Sequence, residues 1–178
     1  ETGIRGDLAP TLFGATEEFP ERLSEVSEFI RNHREDSDKI SFHMGPHAVY
    51  TCPDPTLGQI VDEAKKLNVP LHMHISEEGP QVEKTREKTG LTPFGLPVLV
   101  GHGLWIEEED LKLINDDTWF AFCPKTYMKL ASGRGRFFDL YQKIHYGFGT
   151  DGAASSNTLN PVEQARLFGL LGKFQADD

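Results

Sequence analysis

Short apolar runs of strand length alternate along the chain with longer segments of helical periodicity. Each run is followed by a glycine, a proline or a polar residue, and the runs cover residues 6–13, 39–44, 69–75, 98–100, 118–123 and 144–149. The first run is a weak strand candidate, because Pro10 interrupts it. Strands that alternate with helices over short connections predict parallel pairing through right-handed crossovers. The sequence therefore predicts an α/β fold, with residues 1–178 forming one domain.

The helical segments carry apolar residues at spacings of three and four. We predict helices over residues 21–34, 54–68, 78–89 and 137–143, and one more that opens at the acidic residues 107–109. Residues 125–136 and 150–158 are predicted to be loops. Asn160 is predicted to cap a final helix, with Pro161 in its first turn and Glu163 completing a capping box. That helix has more apolar surface than one buried stripe needs.

Composition limits the class of partner. Lysine and arginine number 18 against 28 acidic residues, a formal charge of −10, which disfavours nucleic-acid backbones and anionic membranes. No apolar run approaches the roughly 20 residues of a membrane span, and no signal-peptide pattern opens the sequence. Cys52 and Cys123 lack the spacing of a disulfide framework or a thiolate zinc site. We expect a cytoplasmic protein whose partner is a small molecule.

A histidine pair lies at the end of the run over 69–75. His72 and His74 are two apart, so on a strand they point to the same face. Glu77 follows just past the strand, where a carboxylate is costly to bury unless it is paired or used. The same residues could equally be two histidines of the core and an acidic residue at the start of a helix. This segment alone therefore does not show whether the residues have a structural or a catalytic role.

Polar residues also follow other predicted strands. His102 lies between two glycines, Asp151 precedes a run of small residues, and His47 follows Gly-Pro. Each alone is also explained as a surface-turn histidine or a turn-capping acid. In a β/α barrel, however, all strand carboxyl ends open on one face. There the set would form a metal site that activates water. The remaining histidines are assigned to structure: His33, His43 and His145.

Motifs of other enzyme classes are absent from the sequence. There is no GxSxG elbow for a serine nucleophile. The glycine-rich stretch 132–136 matches neither a P-loop nor a dinucleotide fingerprint. The paired-cysteine signature of the base-editing zinc deaminases is missing as well.

Five segments resemble the amidohydrolase superfamily, in the branch that contains methylthioadenosine and S-adenosylhomocysteine deaminases and triazine chlorohydrolases. They read GPHAVYTC at 45–52, HMHISE at 72–77, GH at 101–102, KLASG at 129–133 and GTDGAASSN at 149–157. The resemblance implies a TIM-type (β/α)8 barrel, of which the chain covers about strands 3 to 8 with their helices. It also implies one divalent metal ion, zinc or iron.

The resemblance further implies roles for individual residues. His74 and Asp151 would be metal ligands. Glu77 would transfer a proton and contact the substrate, His102 would orient the attacking water, and His47 would contact the substrate. The expected activity is a hydrolytic deaminase that releases ammonia from an adenosine-like or other aminopurine or aminopyrimidine substrate, by attack of hydroxide formed at the metal.

Two departures from the family pattern limit this expectation. The His-x-His of the family's first strand, which supplies two more ligands, and the small β-sandwich domain have no counterpart. Thr126 and Tyr127 stand where relatives often carry Ser-Asn, in a segment that faces the substrate. A hydrolytic dechlorinase or another C–N hydrolase, and a catalytically inactive truncated barrel, therefore remain as alternatives.

The length of the chain also bears on its assembly. A complete barrel takes about 250 residues, whereas this chain has 178. An incomplete barrel leaves two open strand edges that invite pairing with another chain. We therefore expect a homo-oligomer.

Overall fold

The computed structural model describes residues 5–77, 79 and 97–175. The helix predicted over 78–89 lies outside these residues except for Gly79. Within the described part of the chain, no helix is long and apolar enough to cross a membrane.

Parallel strands form the centre of the fold. They are β1 Gly6–Leu8, β2 Thr11–Leu12, β3 Ile40–Phe42, β4 Gly45–Pro46, β5 Leu71–Ile75, β6 Val98–His102, β7 Thr118–Phe122 and β8 His145–Phe148. The first two are pieces of one strand on either side of Pro10, which has no N–H to give to a ladder. They pair in parallel with β3 and β4 respectively.

The strand pairs join into one series. Parallel bridges from Met44 to Leu71 and from Ala48 to His74 connect the β3–β4 strand to β5. From there β5, β6, β7 and β8 follow in sequence order, each parallel to the next. Six strand positions therefore lie side by side, which confirms the α/β class and the incomplete (β/α)8 barrel.

The apolar core lies between these strands and the helices. Along β5, Leu71, Met73 and Ile75 are buried, whereas His72 and His74 alternate with them on the opposite, half-buried face. Fully burying an aliphatic side chain stabilises a fold by about 1.5–3 kcal/mol. This alternation therefore fixes the register of β5, because a slip by one residue would turn both imidazoles into the apolar core.

The helices are α1 Phe19–His33, α2 Thr56–Leu67, α3 Pro124–Leu130, α4 Phe137–Leu140, α5 Ala153–Ser156 and α6 Pro161–Gln175, with 3-10 turns at Asp110–Lys112 and Tyr141–Lys143. The predictions for α1, α2, α4 and α6 are confirmed within a few residues at their ends. The predicted final cap is confirmed, because Asn160 Oδ1 accepts the backbone N–H groups of Val162 (3.0 Å) and Glu163 (3.3 Å).

Three local predictions were wrong. Residues 125–136 are not all loop, because α3 covers Pro124–Leu130. The acidic residues 107–109 precede only a 3-10 turn, in which the Asp110 carboxylate accepts the backbone N–H of Glu107 at 2.8 Å. The predicted loop over 150–158 contains the four-residue helix α5.

Tertiary contacts explain why α3 forms. Proline in its first turn suits a helix start. The side-chain oxygen of Gln164, a buried residue of α6, accepts the backbone N–H of Lys125 at 3.0 Å. The Lys125 ammonium in turn binds the Glu163 carboxylate at 2.9 Å. The predicted capping-box role of Glu163 is therefore replaced by a contact with α3.

Candidate active site

Strand ends bring three ionisable side chains together. Glu77 follows β5, His102 ends β6, and Asp151 lies three residues beyond β8. One possible ligand atom from each lies within 4.8 Å of those of the other two. Glu77 Oε1 is 3.5 Å from His102 Nε2. The sequence prediction that these residues meet at one end of the sheet is thus supported by their geometry.

The backbone adopts a left-handed conformation just after β5, at the end of β6 and after β8. Ser76, His102 and Asp151 have φ angles of 51°, 75° and 57°, in the left-handed region that residues other than glycine rarely occupy. Such a conformation costs on the order of 1–3 kcal/mol, and residues that adopt it cluster at functional sites. The surrounding contacts hold all three exits in conformations that aim side chains at the shared mouth.

His74 lies between two other imidazoles. Its ring centroid is 4.9 Å from that of His47 and 5.1 Å from that of His102. Gly101 of β6 is paired with His74 and gives the ring room. A Cβ on Gly101 would lie 2.8 Å from His74 Cδ2, too close for any other residue without a shift of the imidazole.

His47 reaches the same cluster from the end of β4. Its Nδ1 lies 3.0 Å from the Thr51 hydroxyl oxygen, which fixes the ring. The rings of Phe13 and Tyr50, both exposed, lie 4.8 Å and 5.9 Å from it. His47 is therefore placed where the mouth opens to solvent, with aromatic rings on both sides.

His72 does not join the cluster. Its ring is 6.1 Å from that of His43, and His43 Nε2 lies 2.9 Å from the Asp7 carboxylate. The Asp7 carboxylate also accepts the Ser41 hydroxyl at 3.0 Å. Asp7 lies on β1, Ser41 on β3, and His43 directly after β3. Together with His72 of β5 they form a polar layer further from the strand ends. The assignment of His43 to structure agrees with this position.

Burial controls the charge of the imidazoles. Burial, and after it the nearby His74, lower the pKa of His102 to about 4, against the opposing effect of Asp151. The pKa of His74 is lowered chiefly by burial, again opposed by Asp151. Burial and His74 lower the pKa of His47. All three imidazoles therefore favour the neutral form, which keeps a nitrogen lone pair free to accept a proton, a hydrogen bond or a metal ion.

The sequence reasoning missed Cys123 at the site and placed Tyr127 in the wrong type of element. Cys123 follows β7, and its buried thiol has a pKa raised to about 12, mainly by burial and then by the Asp151 charge. Tyr127 of α3 is buried, with its ring 5.8 Å from that of His102. The sequence expectation that Tyr127 lies in a loop facing the substrate was wrong about the loop. The position of Cys123 at a strand end was the signal that could have marked it.

The donor atoms fit a divalent transition metal. Zinc takes imidazole nitrogens and carboxylate oxygens, and iron shares the imidazole preference. Glu77, His102 and Asp151 supply one imidazole and two carboxylates, whereas His74 lies outside this group of three, with its ring centroid 5.1 Å from that of His102. Among the described residues, His102 Nδ1 is buried without a hydrogen-bond partner. That nitrogen is the kind of polar atom that an additional ligand would satisfy.

Parallel strands that deliver histidine, glutamate and aspartate side chains to one end are typical of β/α-barrel enzymes, whose active sites lie at the carboxyl ends of the strands. Residues 8–176 match the amidohydrolase family, and the chain belongs to it. The resemblance inferred from the sequence is thereby confirmed.

Curated relatives give a finer comparison. The chain is 36% identical to a 5-methylthioadenosine/S-adenosylhomocysteine deaminase of Desulforudis audaxviator, over 100% of this chain and 44% of that protein. It is 32% identical to a 5'-deoxyadenosine deaminase of Methanothrix thermoacetophila, over 97% and 44% of the two chains. The chain thus spans less than half the length of these relatives.

Solved structures share the fold. An adenosine deaminase from Xanthomonas campestris with bound zinc superimposes with a TM-score of 0.84 at 24% identity, covering 98% of this chain and 43% of that chain. An atrazine chlorohydrolase from Arthrobacter aurescens, complexed with zinc, gives a TM-score of 0.77 at 19% identity, covering 93% and 42%. These likenesses support the partial barrel and nothing finer.

Proposed function

We propose that this chain forms most of the catalytic mouth of a metal-dependent hydrolytic deaminase that releases ammonia from an adenosine-type substrate. The convergence of Glu77, His102 and Asp151 within 4.8 Å is the observation that carries the proposal. Similarity to methylthioadenosine/S-adenosylhomocysteine deaminases supports an aminopurine nucleoside as the substrate class.

His74 and Asp151 would hold the divalent metal, zinc or iron, together with the further ligands that the family resemblance implies. Catalytic zinc sites keep three protein ligands, and two from one chain fall short of that number. When bound, the metal would supply Lewis acidity and lower the pKa of water toward about 7.

The chain's own residues would divide the proton transfers. Asp151 would accept the proton of the attacking water and later give it to the departing amine. Glu77 would donate a proton to the ring nitrogen, because that nitrogen is a poor electron sink until it is protonated. His102, neutral because burial lowers its pKa to about 4, would hydrogen-bond the attacking oxygen. His47, flanked by exposed aromatic rings, would contact the substrate.

A substrate panel tests the proposal. The sequence would be completed to the length of its relatives, loaded with zinc or iron, and given aminopurine nucleosides, aminopyrimidines and chlorotriazines. We expect ammonia from the aminopurine nucleosides and no release after Asp151→Asn. Chloride release from the triazines, without ammonia, would instead favour the dechlorinase alternative, which the shared fold of the atrazine chlorohydrolase supports.

The chain by itself is proposed to be inactive. Its two proposed metal ligands would leave the ion incompletely held, and the same panel given to residues 1–178 alone should release neither product. Deaminase activity of that chain would contradict the assignment of missing ligands to a further strand. Residence in the cytoplasm and a homo-oligomeric state remain parts of the proposal, as does the assignment of residues 1–178 to one domain.

A further inference from the structure

A glycine-rich stretch follows α3 and packs against the chain that leaves β6. It covers residues 132–136 and matches no phosphate-binding motif, so the proposed chemistry leaves it unexplained. Gly133 and Gly135 have φ angles of 88° and 61°, a backbone region that favours glycine. A Cβ on Gly135 would overlap the carbonyl oxygen of Leu104, and the Arg136 backbone N–H donates to that oxygen at 2.8 Å. The glycines therefore let this stretch lie directly on the segment after β6.

Trp105 lies where the glycine-rich stretch meets the end of β5. Its indole Nε1–H donates to Ser132 O at 3.0 Å. A Cβ on Gly133 would lie 2.8 Å from the indole at Cζ2, so a side chain at that position would displace the ring. A Cβ on Gly79 would lie 3.6 Å from the indole at Cδ2, which is ordinary van der Waals contact. The half-buried ring thus contacts two segments that are distant from each other in the sequence.

The backbone of the same segment extends the pairing of β6 with β5. The Gly103 N–H donates to Ile75 O at 2.9 Å. Two residues later, the Trp105 N–H donates to Ser76 O, also at 2.9 Å. Ser76 has the left-handed φ of 51° and directly precedes Glu77. Trp105 therefore joins the residue before Glu77, through its backbone, to the glycine-rich stretch, through its side chain.

We propose that Trp105 is a positioning residue for Glu77. A left-handed residue such as Ser76 keeps its conformation only where surrounding contacts impose it. Trp105 supplies such a contact, and the Glu77 carboxylate then lies 3.5 Å from His102 Nε2. The inference rests on the proposed function for its kinetic consequence, because the position of Glu77 affects the rate only if this residue transfers a proton. A displacement of about 1 Å in a catalytic group can cost about 100-fold in rate.

A double-mutant cycle separates positioning from simple core filling. Trp105→Phe keeps an aromatic ring and loses the indole N–H. In the protein completed to its relatives' length, we expect this change to lower kcat for ammonia release by about tenfold, with KM altered by less than about twofold. In the Glu77→Gln background the same change should lower kcat by less than about twofold, because a side chain that donates no proton gains nothing from its position. Equal losses of kcat in both backgrounds would overturn the proposal.

Trp119 provides the matched control. It is the other tryptophan of the chain, half exposed, with its ring stacked on that of His145 at 5.0 Å. Trp119→Phe should leave kcat unchanged in both backgrounds. Gly133→Ala is a second test variant, because it keeps the indole N–H but crowds the ring. It should lower kcat in the wild-type background and not in the Glu77→Gln background, and a loss in both would also count against the proposal.

Hydrogen exchange in the 178-residue chain, followed by NMR, tests the contact without reference to activity. The indole proton of Trp105 should exchange at least about tenfold more slowly than that of Trp119. Trp105→Phe should speed exchange of the backbone amide at position 105, which donates to Ser76 O, by about tenfold, whereas Trp119→Phe should not change it.

The two measurements distinguish failure of this inference from failure of the proposed function. Equally fast exchange of the two indole protons, or an unchanged amide at position 105 in Trp105→Phe, would overturn the inference even in an active enzyme. If both exchange results hold and the completed protein releases no ammonia, the proposed function fails and the link between Trp105 and the end of β5 stands.

Discussion

At the scale of single residues, Glu77 is the proposed proton donor to the substrate. It follows β5 and lies 3.5 Å from the buried His102, inside the cluster that contains Asp151. A carboxyl group so placed can give a proton to a substrate held at the same mouth. Glutamine has nearly the same shape as glutamate but cannot donate this proton.

Glu77→Gln should therefore lower the rate of deamination by roughly 100-fold or more, measured as kcat for ammonia release in the protein completed to its relatives' length. Glu109→Gln, at an exposed position beyond β6, is the control and should leave kcat unchanged. Full activity in the Glu77 variant would remove this residue from the mechanism.

His102 makes stability depend on pH. Its folded-state pKa of about 4 lies below the value of 6.5 for a free histidine. Between these values the unfolded state binds the proton and the folded state does not, so stability is lost as pH falls from 6.5 toward 4. The shift corresponds to about 3 kcal/mol at its full extent.

Urea unfolding from pH 7.5 to 5, with a chelator present, measures this loss. We expect His102→Asn to flatten the pH dependence, although other buried histidines will leave part of it. Parallel curves for wild type and His102→Asn would contradict the account.

At the scale of elements, Gly101 shows how β6 serves its neighbour β5. The missing side chain at this position is what allows the His74 ring to lie between His47 and His102. Gly147 of β8 is also a strand glycine, but a Cβ there would meet nothing within 4 Å. An alanine at Gly147 therefore tests the effect of replacing a strand glycine alone. An alanine at Gly101 tests that effect together with the displacement of His74.

Gly101→Ala should weaken zinc binding by about tenfold by displacing His74, whereas Gly147→Ala should leave zinc affinity unchanged. Both affinities can be measured by chelator competition in the protein completed to its relatives' length. Equal affinities in the two variants would mean that His74 is not a ligand.

The elements also show what a single sequence can reveal. The strands and the polar residues that follow them were predictable, because both can be recognised from neighbouring residues in the sequence. The α3 helix was not, since the acceptor for the Lys125 N–H is Gln164, 39 residues later.

At the scale of the whole molecule, the described strands do not close into a barrel. Among the described strands, β1 pairs only with β3, and β8 pairs only with β7. Trp119 of β7, on the face that a complete barrel would enclose, is half exposed. The predicted surplus of apolar surface on α6 is present, with Val162 75% and Phe174 89% exposed.

The 178-residue chain should therefore self-associate, because open edges and exposed apolar residues are covered by a second copy. Sedimentation velocity should show dimers or larger species, and Leu170→Lys combined with Phe174→Lys should shift the population toward monomer. Lys173→Glu, which changes charge on the same helix without removing apolar surface, is the control. A monodisperse wild-type monomer would contradict this expectation.

Anomalous diffraction at the zinc edge, from crystals of the protein completed to its relatives' length and grown with zinc, tests the shared mouth most directly. The account predicts one strong peak at about 2.0–2.2 Å from a ring nitrogen of His74 and a carboxylate oxygen of Asp151, with Glu77 and His102 beside it. A peak elsewhere, or none, would contradict it.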